Sequence, residues 1–86
     1  MAENGNSTGL VATVRALVAD VVGPAALEGV DDGAPLFEGM VLDSLHLVAI
    51  VSELEQRFGI TISPEDLVPD NFGSLSQMAK FVEARR

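Results

Sequence analysis

The residues best suited to chemistry lie together at Asp43-Ser44-Leu45-His46. A nucleophilic serine needs a base within hydrogen-bond reach and a third group that orients this base. His46 is the one histidine of the chain, but residues two positions apart on a helix do not face each other. The G-x-S-x-G turn of serine hydrolases is also absent. The pattern therefore disfavours a hydrolase and leaves Ser44 as a hydroxyl that another enzyme could modify.

Ser44 occupies a position where an added phosphate would be tolerated. Asp43 is a good N-cap, so a helix is predicted to start at Ser44. The first turn of a helix has free N–H groups and a partial positive charge, which stabilise an anion without Lys or Arg. The alternative is that Ser44 is simply a first-turn residue beside a capping aspartate. From position alone this plainer interpretation is favoured.

Composition narrows the possible partners and sites. The chain has 86 residues, no cysteine and a formal net charge of −8, from 13 acidic and 5 basic residues. This charge disfavours binding to nucleic acid or to an anionic membrane, and it favours partners with basic patches or simply solubility. Without cysteine there is neither a disulfide nor a thiolate metal site. The polar N-terminus resembles no signal peptide, so we expect a cytoplasmic location.

The remaining carboxylates suggest structural roles. Glu53, Glu55, Glu65 and Asp66 lie where a solvated helix face or a cap would place them, rather than as the carboxylate pair of a glycosidase. Asp31-Asp32-Gly33 lacks the ligand spacing of a calcium loop and is expected to form a turn.

Hydrophobic spacing predicts a first and a second long helix. The first is expected from Ser7 or Thr8 to Gly23-Pro24, after a disordered tail over residues 1–7. Residues 8–86 are expected to form one domain. The second is expected from Ser44 to Phe58, with Gly59 as its stop. Its inner stripe follows the helical period. The stripe comprises Leu47, Ile50, Val51, Leu54 and Phe58. Leu45 and Val48 lie off this stripe.

The connections and the end of the chain complete the predicted fold. A long loop runs from about Ala25 to Asp43, with Leu36 and Phe37 expected to anchor it to the core. Ser63 to Asp66 has the form of a short helix start, which Pro69 is expected to stop. Ser74 caps a last helix to about Ala84, whose inner face is Leu75, Met78, Ala79, Phe81 and Val82. The result is an all-α, small four-helix bundle with three main helices, one short helix and a long loop between the first two.

A longer pattern, beyond Ser44 and its neighbours, indicates a protein family. Four stretches of the chain are arranged as in acyl carrier proteins: Leu36-Phe37-Glu38-Gly39, Leu42-Asp43-Ser44-Leu45, Ile60 to Leu67 and Asn71-Phe72. Over residues 8–84 the chain resembles this family, including its peptidyl and aminoacyl carriers. The resemblance implies a phosphopantetheine arm on Ser44, with Asp43 and Leu45 as neighbouring site residues. It also implies a carrier that catalyses nothing alone.

The resemblance further implies partners and a docking surface. The expected partners are a phosphopantetheinyl transferase, an adenylating ligase or acyltransferase that loads the arm, and downstream synthase or tailoring enzymes, acting on a monomer. The expected docking residues around the arm are Met40, Val41, Leu45, His46, Val48 and Ala49. His46 is expected to be exposed. For Leu45, partner contact and closure of the bundle are equally plausible uses.

Two departures from fatty-acid carriers suggest the subtype. His46 and Ala49 stand where acidic residues are expected, and Leu42 replaces a small residue before Asp43. The L-F-E-x-x-x-L-D-S-L stretch is similar to free-standing aminoacyl carriers. We therefore expect a free-standing carrier of a polyketide or nonribosomal-peptide-type pathway. The alternatives are a D-alanyl-type or fatty-acid-type carrier and, from a different class, an unmodified helical protein-interaction module.

Overall fold

The computed structural model describes residues 2–37 and 43–86. It consists of four α-helices: α1 (Ala2–Val22), α2 (Ser44–Phe58), α3 (Pro69–Phe72) and α4 (Leu75–Arg85). One-turn 3-10 helices lie at Pro24–Leu27 and Pro64–Asp66, and there is no strand among the described residues. Helix α1 packs against α2 and α4, and α3 packs against α4. The prediction of an all-α bundle with three main helices and one short helix is confirmed.

Helix α1 supplies one wall of the core. Its apolar residues at helical spacing are buried, and these are Leu10, Val14, Leu17 and Val18. The helix ends where Gly23 adopts a φ of 97° and Pro24 opens the 3-10 turn. It starts at Ala2, so the predicted helix start at Ser7 or Thr8 is wrong. Once packing residues hold a helix, each further turn costs little, because only nucleation is expensive. The division into a tail and a carrier domain stays a prediction.

Helix α2 has the bounds that the sequence predicts. Asp43 is its N-cap, and Gly59 ends it in the left-handed conformation with a φ of 65°, which glycine adopts at little cost. Ile50 and Leu54 are fully buried. The remaining stripe residues, Leu47, Val51 and Phe58, are partly buried against the same core.

The long loop is anchored at two points to the junction between α3 and α4. Leu36 is fully buried, and its N–H donates to the carbonyl of Gly73 at 2.9 Å. The carbonyl of Asp32 accepts the N–H of Ser76 at 2.9 Å, while its carboxylate binds Arg15 at 2.9 Å. The predicted anchoring by Leu36 is confirmed, and Asp32 holds its turn through its carbonyl group and its ion pair with Arg15.

Pro69 acts differently from the prediction. We expected it to stop the short helix that starts at Ser63, but this turn already ends at Asp66, and Pro69 is the first residue of α3. The fixed φ of proline and its missing N–H suit the first position of a helix. The short fourth helix of the bundle is therefore α3, one step further along the chain than expected.

Helix α4 closes the bundle. Its five predicted inner residues are all buried, and the hydroxyl of Ser74 accepts the N–H of Gln77 at 3.2 Å. Near its end, Arg85 binds both oxygens of Asp66, at 3.0 and 2.6 Å, and lies 4.7 Å above the ring of Phe81. This ion pair ties the 3-10 turn to the last helix.

Candidate functional site at the start of α2

Asp43 organises the first turn of α2 with both its side chain and its backbone. Its Oδ1 accepts the N–H of His46 at 2.9 Å, and its carbonyl accepts the N–H of Leu47 at 2.9 Å. The hydrogen bond from the His46 amide holds the pKa of the Asp43 carboxyl below its usual value. Asp43 is therefore an ionised cap at neutral pH, and it sets where the helix begins.

The arrangement fits a phosphate attached at Ser44. Ser44 is the first residue of α2, and its side chain lies outside what the structure describes. The amides of Ser44 and Leu45 have no carbonyl partner within the helix, since the first turn of any helix lacks them. A phosphodiester at this end would meet those N–H groups and the positive pole of the helix. These groups would favour an anion at this end of α2 without a cationic side chain.

His46 is held against the cap. Its Nδ1 is shielded from solvent and lies 3.4 Å from Oδ1 of Asp43, and 38% of its side chain is accessible. The prediction that His46 is exposed is therefore only partly right. The imidazole packs beside the helix start, because the cap brings Asp43 within one turn of it.

The predicted docking residues fall into three groups. Leu45 and Val48 are largely exposed, at 80% and 65% of their accessible area, so Leu45 does not serve to close the bundle. Ala49 and His46 are partly buried. Met40 and Val41 lie outside the described residues. The role of this surface in docking stays a prediction.

A second feature of this end of the molecule was not predicted. An apolar cleft of about 320 Å³ opens between the long loop, α2 and α3. Its lining residues are Pro35, Phe37, Leu47, Leu67, Val68, Pro69, Phe72 and Gly73. At its rim Leu67 and Val68 remain 38% and 41% exposed. The available signal was an apolar pair placed between two prolines, where neither residue can lie on a long helix face.

Comparison with known proteins identifies the family of the chain. The family model for the phosphopantetheine attachment site matches residues 12–82, which span α2, α3, the second half of α1 and most of α4. The chain belongs to this family. It is also 30% identical, over 56 residues, to the probable acyl carrier protein PigG of Serratia sp. (strain ATCC 39006). That match covers 65% of this chain and 64% of the relative, so the chain matches a little under two thirds of the relative's length.

Family membership establishes the carrier class and its prosthetic group. Members carry a covalently attached phosphopantetheine, and in general they are substrates of phosphopantetheinyl transferases and biosynthetic enzymes rather than enzymes themselves. None of the helices in the described ranges has the length and hydropathy needed to span a bilayer.

Proposed function

We propose that this carrier protein bears its phosphopantetheine arm on Ser44 and holds biosynthetic intermediates on the terminal thiol as thioesters. The observation that supports this most directly is that α2 begins at Ser44, directly after the Asp43 cap. The cap aligns the first turn, so that the N-terminal end of α2, with its partial positive charge, can face the phosphate. The protein itself would then present the Ser44 hydroxyl to the transferase and stabilise the negative charge of the added phosphate.

The composition of α2 supports a proposal for the type of pathway. Its first turn contains no acidic residue, unlike the acidic face expected of fatty-acid carriers. We infer that the carrier serves a specialised pathway of the polyketide or nonribosomal-peptide type, in which an adenylating ligase or acyltransferase loads the thiol. The likeness to a probable acyl carrier protein is compatible with this. A D-alanyl-type or fatty-acid-type carrier is the alternative. We further propose that the protein acts as a monomer in the cytoplasm.

Intact mass spectrometry tests the attachment site. After co-expression with a broad-specificity phosphopantetheinyl transferase, the wild-type chain should gain the mass of one phosphopantetheine, and peptide mapping should place it on Ser44. Ser44→Ala should abolish the gain without loss of helicity. The matched control is Thr13→Ala, which removes an exposed hydroxyl from α1 and should leave the gain intact.

The rival from another class is a helical interaction module with Ser44 unmodified. It predicts no mass change in the presence of a transferase that modifies a control carrier in the same cells. A modification mapped to another hydroxyl would retain the carrier class and reject the assignment to Ser44.

A further inference from the structure

The rim of the apolar cleft consists of residues that the hydrophobic core does not hold. Leu67 and Val68 line the cleft, yet neither belongs to the core, and each keeps more than a third of its surface exposed. Leu47 lines the same cleft from the first turn of α2. Because few apolar contacts hold Leu67 and Val68, their position depends mainly on the hydrogen bonds of their own segment.

Asp66, directly before the rim, makes most of these hydrogen bonds. Its carbonyl accepts the N–H of Val68 at 2.9 Å and Nδ2 of Asn71 at 2.8 Å. Its Oδ2 accepts the N–H of Ser63 at 2.9 Å. Since only 12% of the Asp66 side chain is accessible, the carboxylate depends on partners within the protein. The position of Asp66 therefore determines where the rim begins.

Arg85 joins Asp66 to the last turn of α4. Its guanidinium binds both carboxylate oxygens of Asp66, at 3.0 and 2.6 Å. Nη1 of Arg85 also donates to the carbonyl of Thr61 at 3.2 Å. A guanidinium that binds two oxygens fixes the orientation of its partner as well as the distance. Arg85 thus holds the segment before the rim at a defined place on α4.

A second chain of contacts leads from Arg85 to the floor of the cleft. The guanidinium lies 4.7 Å from the centre of the Phe81 ring. Phe81 in turn contacts Phe72, with 5.1 Å between the ring centroids. Phe72 is buried and lines the cleft. Both chains of contacts start at one side chain and end on different parts of the cleft, although Arg85 is not itself a lining residue.

We propose that Arg85 is a positioning residue for the apolar cleft. It acts on the rim through Asp66 and on the floor through Phe81. The ion pair keeps the rim at the separation from α2 at which the cleft can receive an uncharged apolar group. Without the pair, Leu67 and Val68 move away from α2 and the cleft loses its shape. This role of Arg85 does not depend on which residue carries phosphopantetheine.

Hydrogen exchange followed by NMR tests the effect on the rim. Arg85→Met keeps a long side chain over Phe81 but cannot bind Asp66. The amides of Leu67 and Val68 should then exchange faster by about tenfold or more, the change expected when a hydrogen bond to a charged group is lost.

Binding of benzene tests the effect on the cleft. Apolar cavities in proteins can bind benzene, so in wild type it should shift the methyl signals of Leu47, Leu67 and Val68. In Arg85→Met its apparent dissociation constant should rise by about threefold or more, because a displaced rim makes fewer contacts with the probe. Asp66→Asn should give a similar rise, since an amide offers the guanidinium one oxygen instead of two.

Two control variants separate this role from a general loss of stability. Arg57→Met removes the ion pairs that Arg57 makes with Asp20 and Glu53, none of which involves a residue of the cleft. It should leave the exchange of Leu67 and Val68, and the affinity for benzene, within about twofold of wild type. Arg85→Lys keeps the charge but not the paired geometry, so it should restore part of each effect.

Two results would overturn the role of Arg85. One is equal exchange of the rim amides in Arg85→Met and Arg57→Met. The other is a wild-type protein whose methyl signals do not respond to benzene, because there would then be no cleft to position. Should Arg85→Met fail to fold, Arg85→Lys and Asp66→Asn provide the same comparison with Arg57→Met. Intact mass, which tests the attachment at Ser44, is independent of all these results.

Discussion

Aliphatic side chains lie on both faces of α2, but they are buried on one face and exposed on the other. On the inner face Ile50 and Leu54 are fully buried, whereas on the outer face Leu45 and Val48 are 80% and 65% exposed. Burial of an aliphatic side chain contributes about 1.5–3 kcal/mol, a contribution that the outer residues largely forgo. We therefore expect Leu45, beside the proposed attachment site at Ser44, to contact a partner rather than to contribute to folding.

A substitution on the inner face of α2 should have the largest effect on the stability of the fold. Leu54→Ala should lower the free energy of unfolding by about 2–5 kcal/mol, because it leaves a cavity in the core. Urea unfolding measured by circular dichroism would show the change. A variant whose unfolding midpoint equals that of wild type would contradict the assignment of the buried face.

The start of α4 is the next test, since this helix completes the core that α1 and α2 begin. Ser74→Ala removes the hydroxyl that accepts the Gln77 N–H, and loss of such a cap costs about 0.5–2 kcal/mol. Ser74→Thr keeps an acceptor and should lose less. Equal losses for the two variants, measured in the same urea titration, would mean that the cap is not the cause.

The ion pair between Asp66 and Arg85 should give a smaller, pH-dependent effect. Hydrogen bonds from Arg85, and then from the Ser63 amide, hold the pKa of Asp66 below its usual value of 3.8. A lowered pKa stabilises the folded state at pH above 3.8 and ceases to do so as the pH falls through the folded value.

Asp66→Asn should therefore flatten the acid side of the stability profile and reduce stability at pH 7. The measurement is the urea midpoint between pH 7 and pH 3. Some slope should remain in the variant, because the pKa of Asp43 is lowered in the same direction. An unchanged slope would show that the pair does not contribute.

The outer face should give the smallest change in stability. Leu45→Ala should alter the free energy of unfolding by no more than about 0.5 kcal/mol, as is usual for exposed positions. The same variant should slow transfer of phosphopantetheine, which connects the comparison to function. A loss of stability as large as that of Leu54→Ala would mean that Leu45 packs into the bundle after all.

The sequence predicted the parts of the fold that depend on neighbours within a turn or two. The cap at Asp43, the stop at Gly59 and the buried stripe of α2 all follow from local rules, and they proved right. Local rules failed at Pro69, because the same residue can follow one helix or begin another, and packing against α4 decides between them. They failed also at the start of α1, where extension of an existing helix costs little.

The cleft and the ion pairs lay beyond such rules. The rim residues Leu67 and Val68 line the cleft together with Leu47 and Phe37, and the loop that carries Phe37 is held at Gly73 by the N–H of Leu36. The carboxylates that remain available to a partner also depend on the tertiary structure. Oε2 of Glu55 accepts the N–H of Ile62, a contact that the periodicity of the sequence does not reveal.

From its order of residues alone, this chain determines four helices, a capped start at Ser44 and a face of α2 that must be buried. Hydrogen bonds within a turn and the helical period suffice for this. Only the tertiary structure decides that Asp66 pairs with Arg85 and that Glu55 accepts the N–H of Ile62. It also decides that Glu53 pairs with Arg57 and that the side chains of Leu45 and Val48 stay exposed. Those outcomes depend on distances between elements, which are set when the helices pack together.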